Sequence, residues 1–433
     1  MRDWTVKELK RWDDEICKIA KEKYDLDWYP IEYEILDYHE MISAMAYTGL
    51  PTHYRHWSFG KAFERTATRY KLGMEGLPYE MIINSNPSIS YLMLENPMSI
   101  HLLTMAHCVG HSDFFKNNRT FKETDADNII SRFKSAAKRV RNYIENPRIG
   151  IDKVESILDA CHAIQFQVQR TPNIATVGIC TTDEKVKKEK KIILDLFQHE
   201  DMKDYNLIGF IRDNARNLED WQKDLMTMVE TRSKYFIPQA KTKIMNEGWA
   251  VTIHEKIMHD LKLPDKYHIA FLKSHNQVVR PTLGSINPYL LGRTLFKNIE
   301  EKYGFKECKL AREIHDDENF IRNHLDMQTC RDLNLFDYSF QKAGSKFIVD
   351  DISDEEGWKR VKSTLISNIG LNSAPVVYVE GFSKKRNTLY IKHEHDGRDL
   401  ELAYANKVFD QIKFLWGDEV VFSSIIENEK WTF

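Results

Sequence analysis

The stretch "PMSIHLLTMAHCVGHS", residues 97–112, decides how this chain is read. It opens on a proline, which suits a helix start because the first turn needs no amide donor there. It then runs apolar at helical spacing with no charged residue. It therefore reads as a largely buried helix. The helices along the chain make a large, mainly helical α+β domain the expectation to about residue 340. Two imidazoles lie within it, His107 and His111. At about 100° per residue, a spacing of four puts both on one face, where neutral imidazoles can chelate a divalent ion. The alternative is a pair of core histidines hydrogen-bonded to their neighbours.

A second stretch, "MNEGWAVTIHEKIMHDL" (245–261), looks at first like a zinc-protease helix. Its His254, Glu255 and His259 spell HExxxH, however, and a fifth-residue spacing turns the second ring roughly 140° from the first. The HExxH arrangement is absent. Glu247 is more useful: Glu247, Val251 and His254 share one helix face, and Glu247 is the natural candidate for third ligand or base beside His107 and His111. "NEGWA" is also similar to the NEGxA segment with which gluzincin metallopeptidases supply a glutamate ligand, although here the gap from the histidines exceeds a hundred residues. Two imidazoles and one carboxylate leave an open position on zinc, the condition for activating water. Cys108 stands where HExxH carries its glutamate, so a general base must come from another segment. Glu80, in the strand-like "YEMIIN", is the candidate, with His254 or His56 stabilising an oxyanion. The opposing reading is a non-catalytic protein whose Glu247 is a buried ion-pair or capping partner.

Around these segments the chain alternates helix and loop. Residues 4–24 carry apolar residues at helical spacing, "HYRHWSFG" is loop-like before a helix near 63–71, and two helices follow near 125–146 and 151–168. "TTDEKVKKEKK" marks a charged linker or insertion over 173–203. Helices resume through 260 and over 307–332. From "KFIVDDI" onward the pattern changes to strand, helix (Ser353 and Glu356 forming a capping box), two alternating strands, helix and strand. That order, βαββαβ, is the ferredoxin-like arrangement. The expected organisation is thus α+β: a large helical domain made of 1–172 and 204–340, then a small ferredoxin-like domain over 345–433.

Composition excludes several functions. With 42% hydrophobic and 29% charged residues and a net charge of −3, the chain is globular and has no global basic field for nucleic acid. Six cysteines without CxxC spacing argue against a cysteine-rich zinc module and fit reduced thiols in the cytoplasm. No run of about 18 apolar residues spans a membrane. There is no Walker A spacing around "GKAFERT", no GxGxxG and no GxSxG, so nucleotide binding and the serine-hydrolase elbow lack their signatures. "KHEHDG" (His393, His395) fits an Asp-Gly turn better than a metal site, and "HDDEN" (315–319) lacks EF-hand spacing, with Asp316 or Asp317 expected to cap a helix.

Taken together, "YEILDYHEMI", "GLPTHYRHWSFGKAFERT", "GLPYEMIINSNPSISYLM", "FFKNN", "TDADNII", "AKTKIMNEGWA", "SINPYLLG", "ENFIRNHL" and "RDLNLFDY" identify the chain as a member of the SpoVR (stage V sporulation protein R) family. The resemblance runs from about residue 30 to 340, and "IVDDISDEEGW" extends it. It implies a sporulation, spore-cortex or cell-envelope stress context, and partners of two kinds: an AAA-type serine kinase and a von Willebrand A-like protein. It supplies no catalytic assignment. From the residues, the expectation is a metal-dependent hydrolase, amidase- or peptidase-like, holding a divalent ion (zinc first) on His107, His111 and Glu247. The alternative is an adaptor that docks those two partners.

Overall fold

The computed structural model describes residues 3–74, 76–170, 203–282, 286–335, 337–341, 346–351 and 357–432. The charged stretch 173–203, apart from Lys203, and the Ser353/Glu356 capping box lie outside the described residues. The elements run α1 (Val6–Glu22), β1 (Ile31–Leu36), α2 (Tyr38–Ala46), α3 (Trp57–Lys71), β2 (Glu80–Ile83), β3 (Ser88–Met93), α4 (Met98–Asn117), α5 (Ile129–Glu145) and α6 (Ile151–Ala163). After them come α7 (Leu207–Asn214), α8 (Asp220–Lys241), α9 (Lys243–Asp260), α10 (Asp265–Val278), α11 (Pro288–Tyr303), α12 (Phe305–Ile314), α13 (Asp317–His324) and α14 (Met327–Asp332). The chain ends with β4 (Asp337–Gln341), β5 (Lys346–Asp351), α15 (Gly357–Asn368), β6 (Val377–Ser383), β7 (Thr388–His393), α16 (Leu402–Trp416), β8 (Val420–Ile426) and β9 (Glu429–Thr432). They form two compact units, the first from Met1–His53, Trp57–Lys134 and Pro238–Ser373, the second from Tyr54–His56, Ser135–Ile237 and Ala374–Phe433.

In the first unit α4 is the buried axis, with every residue from Met98 to Phe115 shielded from solvent. A three-stranded sheet in the order β1-β3-β2 covers one side; β1 runs parallel and β2 antiparallel to β3. Strand residues two apart share a face. Ser88 and Ser90 use that face on α4, with Ser88 Oγ 3.1 Å from Ser112 Oγ and Ser90 Oγ 3.1 Å from Cys108 Sγ. Leu92 lies on the same side, and Glu80 pairs directly opposite Leu92, so the pleat aims Glu80 at α4 as well.

Helix α9 covers another side of α4, and the helices meet backbone to backbone. A Cβ added to Gly110 would lie 2.7 Å from Ala250 Cα. On its far side α9 meets α11 just as closely: a Cβ on Gly248 would lie 2.4 Å from the Gly292 carbonyl carbon. Small residues at these crossings bring the axes close enough for short side chains on facing helices to meet. One turn along, Trp249 Nε1 donates to the fully buried Asp113 at 2.9 Å, and Asp113 also accepts from the Asp27 amide at 2.9 Å. Arg312 Nε stands 3.4 Å from the same carboxylate and supplies its countercharge.

The start of α9 is held from outside. Asp317 accepts hydrogen bonds from the amides of Ile244 (2.9 Å) and Met245 (2.8 Å), two of the donors that a helix N-terminus leaves unpaired. Asp316 next to it caps α13 through Asn319 N. Both roles fall on "HDDEN", whose acidic pair serves helix ends. Asp317→Ala strands two buried amides, so a stability loss of about 2 kcal/mol is expected, read as a lowered denaturation midpoint with unchanged slope.

The second unit holds a four-stranded sheet, β6-β7-β8-β9, with the β7–β8 pair parallel and its neighbours antiparallel. Helix α16 buries Phe409, Ile412, Leu415 and Trp416. Asp224 receives both Arg139 (2.8 Å) and the Tyr143 hydroxyl (2.8 Å), tying α5 to α8.

This topology corrects the expectation of a ferredoxin-like domain over 345–433. The predicted strands and helices exist in the βαββαβ order, but β5 pairs with β4 in a separate hairpin and is no part of the four-stranded sheet. The first strand–helix pair, β5 and α15, instead belongs to the first unit, where Leu365 of α15 joins the core and Lys362 Nζ donates to Leu325 O at 2.8 Å. Order along the chain does not fix which strands pair. An adjacent hairpin closes a shorter loop than a return across a helix, and the apolar stripe of α15 finds its cover in the helical core.

Candidate metal centre

His107 and His111 stand one turn apart on α4 with ring centroids 4.5 Å apart and planes nearly perpendicular. Glu247, on the facing side of α9, brings its Oε2 to 3.7 Å from His107 Nε2 and 3.5 Å from His111 Nε2. One ligand atom from each of the three lies within 4.8 Å of the others, a grouping that can hold a metal ion. The donors fit a borderline divalent cation: two imidazole nitrogens and one carboxylate oxygen.

The outward nitrogens are already committed. His107 Nδ1 lies 2.9 Å from His254 Nδ1, and His111 Nδ1 lies 2.8 Å from Asn246 Oδ1. An Asn oxygen only accepts, so His111 carries a proton on Nδ1 and its Nε2 faces the centre. Such a partner behind each imidazole is the usual way a metal ligand is oriented.

Electrostatics sharpen the cluster. Although burial alone would raise it, the adjacent His107 and His111 hold the Glu247 carboxyl far below the usual range, so it is an anion. Burial pulls His107 down to about 4, reinforced by His111 and opposed by Glu247, which favours the neutral ring that a metal requires. Burial also pulls on His111, but Glu247 and Asn246 outweigh it and its affinity for a proton rises.

Glu80 joins from β2, its Oε1 4.0 Å from His107 Nε2. Burial pushes its carboxyl up to about 7; His111 opposes this and the Glu247 charge adds to it. A carboxyl that exchanges its proton near neutrality is suited to general base work.

The remaining expected residues fall elsewhere. His254 is fully buried behind His107, and its second nitrogen, Nε2, lies 2.9 Å from His275 Nδ1. With both nitrogens engaged it has none to offer an oxyanion. His56 belongs to the second unit, where its Nε2 meets Asp159 Oδ1 at 3.1 Å and its ring packs edge-on against His162. The lesser histidines are also occupied: His393 Nδ1 lies 3.0 Å from Ser424 Oγ, and His395 Nε2 3.1 Å from Asp399 Oδ1.

The structure adds three groups that the sequence reading did not name. The Glu247 charge, with burial, holds the Tyr289 phenol far above the ordinary range, so it stays protonated. Its ring centre is 6.3 Å from that of His107. The "INPYLL" spelling explains its position: Asn287 caps α11 by accepting from Tyr289 N at 2.9 Å, and Pro288 takes the first helical position. Asn246 and His275 complete the set. An Asn-Pro helix start carrying a tyrosine was the available signal for Tyr289; nothing local marks His275.

A sequence model of the family described as "SpoVR like protein" matches residues 3–374, a span containing every residue of the centre. A relative in Escherichia coli (strain K12), described as "Uncharacterized protein YcgB", is 32% identical over 477 aligned positions that cover 97% of this chain and 92% of the relative. No solved structure matches.

Proposed function

The chain belongs to the SpoVR-like family, and on that premise we propose that it is a metal-dependent hydrolase acting on amide bonds. The observation that supports this most is the meeting of two inward Nε2 atoms and one anionic carboxylate, each imidazole backed by a partner on Nδ1. A divalent ion, zinc first by its preference for imidazole and carboxylate, supplies Lewis acidity and an activated water when bound. Glu80 accepts the proton of the attacking water and returns it to the leaving amine. Tyr289, a neutral phenol beside the centre, donates a hydrogen bond to the oxyanion as the carbonyl is attacked, taking the part first expected of His254 or His56. The family premise suggests envelope material as the source of the amide and a sporulation or stress setting.

Glu80→Gln tests the assignment. It removes the base and leaves all three ligands, so ion content should match wild type while hydrolysis of a panel of peptide and cell-wall amides falls about 10²–10⁴-fold. Unchanged hydrolysis in this variant contradicts the role. Docking of an AAA-type serine kinase and a von Willebrand A-like protein rests on the family premise alone. A pull-down of both that survives His107→Ala would separate such docking from the metal centre.

A further inference from the structure

Behind His107 a line of buried polar groups runs away from the centre with no evident packing purpose. His107 Nδ1 meets His254 Nδ1 at 2.9 Å, and His254 Nε2 meets His275 Nδ1 at 2.9 Å. His275 Nε2 faces Glu255 Oε1 at 3.8 Å. Arg293 grips that carboxylate with two hydrogen bonds, Nε to Oε2 at 2.7 Å and Nη2 to Oε1 at 2.5 Å. The line draws on four helices: α4, α9, α10 and α11.

We infer that His254 and His275 form a positioning relay that fixes the proton of His107 on Nδ1 and so presents its Nε2 lone pair to the ion. The inference rests on the metal-dependent reading of His107. Each imidazole–imidazole contact needs one donor and one acceptor, so protons must all point the same way along the line. Glu255, paired with Arg293, offers only acceptor oxygens, and its charge 3.8 Å from His275 Nε2 favours the direction in which His275 turns its N–H toward it. His275 Nδ1 then accepts from His254 Nε2–H, and His254 Nδ1 accepts from His107 Nδ1–H. The opposite direction would face a ring lone pair toward the Glu255 carboxylate. A ligating histidine usually donates its second N–H to a carboxylate or carbonyl. Here two imidazoles carry the same instruction from a carboxylate three groups away.

The test measures zinc affinity of the full chain by chelator competition. His254→Leu keeps the approximate volume but removes the acceptor, and a 10–100-fold weaker Kd is expected. His254→Asn puts an acceptor oxygen close to the old Nδ1 position and should recover most of that loss, which a filler role would not predict. In zinc-loaded protein labelled at histidine nitrogen, His107 should show its proton on Nδ1. Should His254→Leu fail to fold, His275→Leu carries the same test one group further out, with a smaller loss expected. Wild-type affinity in the folded Leu variant, or a His107 proton on Nε2, overturns the relay and leaves the metal reading standing. Absence of zinc binding by wild type overturns both.

Discussion

Gly248→Ala should cost the first unit more than about 3 kcal/mol of stability. The added Cβ would sit 2.4 Å from the Gly292 carbonyl carbon and Gly292 Cα, and 2.8 Å from Arg293 N. All three are backbone atoms of a helix, which cannot rotate aside as a side chain does, so α9 and α11 must separate. Overpacking within a core costs about 1–3 kcal/mol when side chains can adjust, and this case lies beyond that range. Since domains hold only about 5–15 kcal/mol in reserve, a large share of the unit's stability is lost. The same displacement would move Tyr289 away from Glu247, so a variant that still folds should also bind zinc more weakly. Gly60→Ala is the control: it lies inside α3 with nothing within 4 Å of a new Cβ, and it should be neutral or stabilising by up to about 1 kcal/mol. Denaturant titration of the two variants measures both effects. Equal stabilities would show that the α9–α11 contact is not the tight crossing described.

Glu247→Ala should weaken zinc binding by about 10²–10⁴-fold while the protein remains folded. Glu247 is the anion of the centre, held as such by His107 and His111, and without it a dication would rest on two neutral rings in a buried site. Removing one partner of a buried charge costs about 3–5 kcal/mol, and each 1.4 kcal/mol is tenfold in Kd. His107→Ala and His111→Ala each delete one of three protein donors and should show losses of similar direction. A competition titration, with circular dichroism confirming the fold, gives the numbers; wild-type affinity after Glu247→Ala would exclude it as a ligand.

Local rules reached the centre because its first ingredients are local. A spacing of four put His107 and His111 together, the all-apolar run around them demanded burial, and the segment around Glu247 carried a spelling shared with metallopeptidases. Glu80 was reachable because a carboxylate in an apolar strand must meet something. What the sequence withheld depends on distant pairing. His275 comes from a helix with no special spelling, and its role exists only because α10 lays it against His254. Tyr289 depends on α11 approaching α9 through Gly248 and Gly292, a contact between residues 44 positions apart that neither segment announces. The same limit explains the terminal region: each strand and helix was legible from its period, whereas the pairing of β5 with β4 was decided by the neighbouring hairpin.

X-ray absorption at the metal edge, on full-length protein purified without chelator and quantified by elemental analysis, tests the centre most directly. One divalent ion per chain is predicted, with a first shell of nitrogen and oxygen at ~2.0–2.2 Å that includes two imidazoles and no sulfur. No ion at stoichiometric level, even after incubation with zinc, manganese or iron, would contradict a metal centre built from His107, His111 and Glu247.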